Sequence, residues 1–307
     1  MIDLKYYINK LQKGKYSIFL FHGVIEESIN GIRNYTKKHI LKEEFENLLV
    51  NLKKKGEPLS LDQVINFHKE KTPLPDFSFS ITFDDGFENN YSVAKPILEK
   101  LSIPATFYIS TNLVDKNLMT WIDQIELCID TLGTRTFDLP WSSLPIKVFS
   151  KKTKIDFLDD IRKHIKKNPN KFVPKNIVRY IYNHCEMELI SSNDGPLDKK
   201  MNWNQVYNLH SHELFSVGGH SHNHVSLGLL KLNEMKKEIM RSIKFLKDKA
   251  NIETQHYSYP EGQEIDFDRN VVQFLKKNRI KCCPSAIYGQ NDNLLSSLFY
   301  LKRILVV

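Results

Sequence analysis

Residues 78–86, SFSITFDDG, decide how the fold of this 307-residue chain is interpreted. The apolar and β-branched residues at 78–83 predict a buried strand, and this strand runs directly into Asp84, Asp85 and Gly86. Adjacent carboxylates at a strand end can point in different directions, so that one faces a metal ion and the other a water molecule. Asp-Gly is also a common turn sequence, so the pair by itself is equally compatible with a plain turn.

Strand and helix patterns alternate on both sides of this segment. Before it, SIFLFHGV at 17–24 predicts another buried strand, and residues 41–55 have helical spacing and end at Gly56. After it, helices are predicted at 91–101, 232–250 and 267–278, and strands at 105–110, 214–219, 255–260 and near 299–307. Alternation of this kind predicts an α/β fold with parallel strands.

Residues 127–200 interrupt the alternation. They contain helical stretches such as FLDDIRKHIKK and NIVRYIYNHCEMELI, and no clear strand pattern. We therefore expect a single barrel-like α/β domain over residues 1–307, with a helical insertion at about 127–200.

Composition limits the classes of function. With 41% hydrophobic and 26% charged residues, the chain can bury a normal core. The net charge of +8 favours an anionic partner, or reflects no more than solvated lysines. The lysines are scattered rather than interleaved with aromatic residues, so we expect no nucleic-acid partner.

Compartment signals are few. The four cysteines have no CxxC spacing, which predicts free thiols in a reducing compartment. The first residues contain no apolar signal region, and no run of about 18 apolar residues occurs. We expect a cytoplasmic protein.

Residues 218–224, GGHSHNH, form a second motif with chemical potential. Three histidines within five residues follow an apolar strand, which packing alone does not explain, although a histidine-rich surface loop is the alternative. His220 and His224 are four residues apart and would meet on one face of a helical turn, with His222 facing away. Two neutral imidazoles and one carboxylate would hold a metal ion and leave coordination positions open.

Together these motifs resemble the polysaccharide deacetylase family, also called the NodB-homology or carbohydrate esterase 4 group. The residues that carry the resemblance are TFDDG at 82–86, HSHNH at 220–224 and YSYPEG at 257–262, in the family's order. FHGV near the start, PATFY at 104–108 and LKRI at the end also agree. The resemblance covers the whole chain except residues 127–200.

The resemblance implies a distorted (β/α)7-type barrel, a divalent metal that is most often Zn²⁺, and hydrolysis of an N-acetyl group on a sugar. Carried over to this chain, Asp84 resembles the catalytic base, and Asp85, His220 and His224 resemble the metal ligands. The Tyr259-Pro260 segment would bind substrate, with the Tyr259 N–H facing the oxyanion of the tetrahedral intermediate.

The chain departs from the family pattern at two points. Ser258 stands where the third motif often has an arginine that orients the catalytic aspartate, and no late Leu-x-x-His supplies a general acid. Arg303 is the candidate to replace the arginine, by binding either Asp84 or the substrate. His22 and His256 are the candidates for the acid, and each has the alternative of an ordinary local hydrogen bond.

Two residues at the start of the insertion are candidates for sugar contacts. Trp121 could stack on a sugar ring and Asp123 could bind its hydroxyl groups, but a core tryptophan and a helix-start aspartate explain them equally well.

From sequence, we expect a metal-dependent N-deacetylase that acts on an amino-sugar unit in surface-polysaccharide biosynthesis. The substrate would be nucleotide-linked, lipid-linked or a glycan, with possible peripheral membrane contact. The alternatives are a sugar deformylase or O-deacetylase on the same scaffold, a non-catalytic glycan-binding protein, and a metal with a structural role.

Overall fold

Seven parallel strand segments close into a ring at the centre of the fold, in a computed structural model that describes residues 2–168 and 171–307. The described residues form ten strands, inside and outside this ring: β1 (Lys15–Phe21), β2 (Gly23–Ile25), β3 (His39–Leu41), β4 (Phe79–Phe83), β5 (Ala105–Ile109), β6 (Arg135–Phe137), β7 (Ile146–Val148), β8 (Phe215–Gly219), β9 (Asn291–Asp292) and β10 (Ile304–Leu305). The order β10-β1-β4-β5-β8 makes up most of the ring, and β9 adds to β1 in the antiparallel direction.

Short bridges complete the ring. Gly219 pairs in parallel with Tyr257, and His256 pairs in parallel with Cys282. Ser285 N–H then donates to Leu301 O, which brings the chain back to the segment that leads into β10. The fold is therefore the distorted (β/α)7-type barrel expected from sequence, although the strands predicted at 255–260 and 299–307 are reduced to bridges and to the two residues of β10.

Helices surround the barrel. They are α1 (Leu4–Ile8), α2 (Lys42–Lys55), α3 (Leu61–Glu70), α4 (Lys95–Lys100), α5 (Thr111–Lys116), α6 (Trp121–Thr131), α7 (Lys151–Lys167), α8 (Pro174–His184), α9 (Trp203–His210), α10 (Leu232–Ala250) and α11 (Arg269–Lys277). None of the described helices is long and apolar enough to cross a membrane. The four cysteines are free and buried.

Alternate residues of the central strands face different layers, as the two-residue period of a strand requires. Phe21, Phe83 and Phe107 stack in a row on the outer face and pack with α2 through Phe45. Thr82 lies between Ile81 and Phe83 and therefore points to the inside of the barrel. The same alternation positions the side chains that follow the strand ends.

The insertion has a hydrophobic core of its own. Its buried apolar residues run from Ile122 to Cys185, with Ile32 added from an earlier loop, so this core begins before the predicted boundary at 127. The prediction that the region lacks strands is wrong, because β6 and β7 pair as an antiparallel hairpin. Each has only three residues, too few to show an alternating pattern in the sequence.

The packing of the insertion core leads to a prediction about stability. Phe157 is 1% exposed and packs in this core, whereas Phe149, in the same region, is 58% exposed. We expect Phe157→Ala to lower the free energy of unfolding by about 3–5 kcal/mol, since it opens a cavity. Phe149→Ala, the matched control, should change it by less than about 0.5 kcal/mol. Urea unfolding followed by circular dichroism measures both, and equal effects would contradict a separately packed core.

Candidate metal centre

The chemically active residues follow the carboxyl ends of neighbouring parallel strands. Asp84 and Asp85 follow β4, His22 follows β1 and His220 follows β8. Phe21 and Phe83 are paired in register, and Asp84 N–H donates to Phe21 O at 3.0 Å. The barrel thus gathers the predicted residues at one end, where α/β barrels form their active sites.

Asp85, His220 and His224 form a group that can hold a metal ion. Their ligand atoms lie within 4.8 Å of one another. Asp85 Oδ1 is 3.1 Å from His224 Nε2 and 3.6 Å from His220 Nε2. This oxygen is buried and makes no hydrogen bond among the described residues. A buried carboxylate oxygen without a hydrogen-bond donor, facing two imidazole nitrogens, is the donor set that a divalent cation would satisfy.

The tautomer of His220 fits the same role. Its Nδ1 lies 2.9 Å from Ser258 O, a carbonyl that can only accept, so the ring donates from Nδ1 and keeps a lone pair on Nε2. Burial lowers the pKa of His220, which favours this neutral form. Burial also opposes the charged form of His224, but the Asp85 carboxylate outweighs it and raises the pKa of His224.

The two histidines meet through a loop and not through the helical turn predicted from their spacing. Residues 220–226 are non-helical, and Ser221 and His224 have φ angles of 55° and 52°. Asp85 has φ 76°. Left-handed conformations of non-glycine residues are uncommon and gather at functional sites. The sequence spacing was correct for proximity, but it did not reveal the backbone that produces it.

His222 faces away from the group, as predicted. Its Nδ1 lies 2.8 Å from Thr111 Oγ1, and its ring packs on Phe245.

Asp84 has a different partner from Asp85. Arg303 donates from Nη1 to Asp84 Oδ1 at 2.9 Å and from Nη2 to Oδ2 at 2.8 Å, a bidentate pair. The guanidinium also donates to Ser258 Oγ, Thr82 Oγ1 and Ser285 O. Of the two roles predicted for Arg303, the geometry supports the contact with Asp84. The side chain is 1% exposed and its N–H groups already donate to protein acceptors, so the geometry favours the contact with Asp84 over a contact with substrate.

The pair sets the charge of Asp84. Burial alone would raise the pKa of this carboxyl, but the Arg303 guanidinium, helped by His220, holds it below its usual value. Asp84 is therefore ionised at neutral pH and can accept a proton. Ser258, which stands where the resemblance implies an arginine, accepts a hydrogen bond from Arg303.

His22 lies in the charge field of this centre. Its Nδ1 is buried and has no hydrogen-bond partner among the described residues. Burial lowers the pKa of His22 to about 4, with Lys38 and Arg303 acting in the same direction and Asp85 and Asp84 against it. His22 is thus neutral at pH 7 in the ligand-free protein.

His256, the other candidate acid, is held elsewhere. Its Nε2 lies 2.9 Å from Asp62 Oδ1, and Asp62 also accepts from Ser216 Oγ. Ser216 is near the start of β8, whereas His220 follows its end, so His256 belongs to the opposite end of the barrel. The structure leaves His22 as the candidate acid.

Sequence reasoning missed Lys38. Its Nζ lies 3.1 Å from Asp85 Oδ2 and 3.5 Å from Asp123 Oδ2, and Asp123 also accepts from Thr120 Oγ1 at 2.7 Å. Burial opposes the charged form, but the Asp123 and Asp85 carboxylates raise the pKa of Lys38 above its usual range. No sequence signal distinguishes this loop lysine from the other lysines of the chain.

A second buried lysine lies close by. Lys200 Nζ donates to Asp198 O at 2.7 Å and lies 3.8 Å from the centroid of the Phe87 ring, which Lys38 also approaches. Burial lowers the pKa of Lys200 to about 8.

The predicted substrate contacts are not all on an accessible surface. Tyr259 is fully buried, stacks on Phe267 and donates to Phe299 O, so its side chain is part of the core. Pro260 is also buried. Trp121 packs partly against the core of the insertion, and Asp123 binds Lys38 and Thr120. Of the predicted set, only the backbone of Tyr259 and the partly exposed Trp121 remain candidates for direct substrate contact.

Known proteins resemble this chain in sequence and in fold. Residues 71–283 match the family described as polysaccharide deacetylase. The Streptococcus pyogenes deacetylase PplD in complex with acetate is 16% identical, with a TM-score of 0.59 over 96% of this chain and 93% of that chain. IcaB from Ammonifex degensii is 15% identical, with a TM-score of 0.61 and the same coverages. The BpsB deacetylase domain from Bordetella bronchiseptica is 16% identical, with a TM-score of 0.56 over 96% and 97%. A comparison with curated proteins finds no match.

The pair of Arg303 and Asp84 makes a prediction for the metal-free protein. Arg303→Met leaves a buried carboxylate without its cation, and we expect the free energy of unfolding at neutral pH to fall by about 3–5 kcal/mol. Arg241→Met, on the exposed face of α10, is the control and should have little effect.

A lower pH should reduce the difference in the free energy of unfolding between the wild type and Arg303→Met. In the wild type the pKa of Asp84 is lowered, so the pair stabilises above the usual aspartate pKa, and this contribution is lost as pH falls through the lowered value. In Arg303→Met, burial without the guanidinium should raise the pKa of Asp84. The carboxylate is then protonated at a higher pH than in the wild type, which removes the cost of burying its charge. Urea unfolding of both proteins with chelator, at neutral pH and at about pH 4, measures this difference. If the loss of stability in Arg303→Met is the same at both pH values, the charge of Asp84 is not its cause.

Proposed function

Because the chain belongs to the polysaccharide deacetylase family, we propose that it is a metal-dependent hydrolase that removes the N-acetyl group from an amino-sugar unit. The observation that carries the proposal is the division of two adjacent carboxylates. Asp85 faces His220 and His224, while Asp84 is held by Arg303. One carboxylate is thereby assigned to a metal and the other to proton transfer.

The residues of the centre perform separate tasks in amide hydrolysis. A divalent cation held by Asp85, His220 and His224 would polarise the acetamide carbonyl and make a water molecule more acidic. Asp84, kept ionised by Arg303, accepts the proton of the attacking water. Two imidazoles and one carboxylate suit Zn²⁺, which we propose as the metal.

A proton must then reach the leaving amine, and two groups can supply it. His22 stands beside Asp84 in strand register, but with a pKa of about 4 it carries no extra proton at neutral pH before substrate binds. Asp84 holds the proton that it took from water and can return it. We propose that the proton which Asp84 took from water reaches the amine through His22, because the buried Nδ1 of His22 has no hydrogen-bond partner among the described residues and is free to accept it. The variant experiment below separates this route from direct return of the proton by Asp84.

The substrate is proposed to be an acetylated amino sugar of surface-polysaccharide biosynthesis, nucleotide-linked, lipid-linked or within a glycan. The names of the structural neighbours support deacetylation, and one of them is described in complex with acetate. The net charge of +8 would suit an anionic carrier or an anionic membrane face.

Rival functions on the same scaffold differ in pocket size and not in the metal centre, so a deformylase or an O-deacetylase remains the second candidate. A purely glycan-binding role would fit the loss of two family residues, the arginine of the third motif and the late histidine. Arg303 restores the contact with Asp84, which removes the first of these two reasons.

Metal content and turnover should separate the two carboxylates. We expect Asp84→Asn to keep the bound metal but to lower acetate release from N-acetylated sugars by about 10²-fold or more, as for loss of a general base. Asp85→Ala and His220→Ala should lose the metal itself. Elemental analysis and an acetate assay on a sugar panel measure both properties, and full activity in Asp84→Asn would refute its role as the base.

The choice of leaving group tests His22. We expect His22→Gln to slow hydrolysis of an N-acetyl sugar by about 10²-fold or more, because an amine must be protonated to leave. An activated aryl acetate, whose leaving group needs no proton, should react at nearly the wild-type rate. His256→Gln is the matched control and should affect neither reaction. Equal loss on both substrates would assign proton return to Asp84.

A further inference from the structure

The insertion reaches the candidate metal centre through a chain of three charged side chains. Thr120 is the N-cap of α6, and it donates through Oγ1 to the Asp123 carboxylate at 2.7 Å. The same carboxylate oxygen, Oδ2, lies 3.5 Å from Lys38 Nζ, and Lys38 Nζ lies 3.1 Å from Asp85 Oδ2. Both carboxylates are buried and the Lys38 side chain is 19% exposed, so the chain of contacts is largely shielded from water.

The two oxygens of Asp85 have different neighbours. Oδ1 faces His220 Nε2 and His224 Nε2, whereas Oδ2 is occupied by the Lys38 ammonium group. A cation held by the two histidines therefore finds one free carboxylate oxygen. While Lys38 holds the other oxygen, Asp85 can bind a metal only through Oδ1.

The charge of Lys38 acts on the same cation. A Zn–O bond of about 2.0–2.2 Å on Oδ1 would place the metal roughly 5 Å from the ammonium group on Oδ2. Repulsion between a dication and a unit charge at that separation is strong in a protein interior. Asp123 offsets part of it, because its carboxylate lies on the far side of Lys38.

We propose that Lys38, held by Asp123 of the insertion, is a positioning residue that restricts Asp85 to one-oxygen coordination and weakens the binding of the metal. The inference rests on the metal centre of the proposed function and adds a control of metal affinity to it. Through Asp123, the insertion then influences the metal affinity of the centre.

Opposite effects of the two partners distinguish this proposal from a structural role. We expect Lys38→Met to tighten Zn²⁺ binding by about tenfold, and Asp123→Asn, which removes only the compensating charge, to weaken it by about fivefold. Lys38→Arg keeps the charge and should stay within about threefold of the wild type. A purely structural pair would shift both variants in the same direction. Lys244→Met, which breaks an exposed pair with Asp248, is the matched control.

The measurement is Zn²⁺ affinity by competition with a chromophoric chelator, without substrate, on full-length protein. X-ray absorption spectroscopy of the zinc-loaded Lys38→Met variant adds a second result: we expect Asp85 to become bidentate. If Lys38→Met binds zinc no more tightly than the wild type, or if both variants shift together, the inference is wrong while the proposed function stands. If the wild type binds no metal, both fail. If Lys38→Met does not fold, Asp123→Asn and Lys38→Arg carry the test, and unchanged affinity in Asp123→Asn overturns the inference.

Discussion

The bidentate pair between Arg303 and Asp84 is the interaction on which the rest of the site depends. Two carboxylates next to each other at a strand end would repel one another and compete for the same cation. Arg303 gives Asp84 a bidentate partner, so that Asp84, although its Oδ2 lies 3.8 Å from His220 Nε2, is already paired, while Asp85 Oδ1 approaches both His220 and His224. The pair joins parts of the chain that are distant in sequence, because Arg303 precedes β10, and only β1 lies between β10 and β4 in the sheet.

Lys38 pairs with the other carboxylate, Asp85, as Arg303 pairs with Asp84. Arg303 saturates both oxygens of Asp84, whereas Lys38 occupies one oxygen of Asp85 and leaves the other free. The centre is therefore flanked by two cations that come from distant parts of the chain. Each has its own compensation: Asp84 itself for Arg303, and Asp123 for Lys38.

Much of the site could be predicted because its residues are contiguous in sequence. Asp84 and Asp85 follow a strongly apolar strand, and His220 and His224 are four residues apart, so local patterns locate both halves. The strands at 255–260 and 299–307 were predicted too long, since bridge-like pairing leaves no pattern of its own. Arg303 was recognised as a candidate, but the choice between Asp84 and a substrate depends on the strand register, which a single sequence does not contain. Lys38 could not be found, because its role arises from a loop that meets the insertion in space.

The most direct test of the central claim is anomalous diffraction from crystals of the zinc-loaded protein. We expect one peak bounded by Asp85 Oδ1, His220 Nε2 and His224 Nε2, with Asp84 still paired to Arg303 and outside the coordination sphere. A metal coordinated by Asp84, with Arg303 displaced, would contradict the division of labour between the two carboxylates.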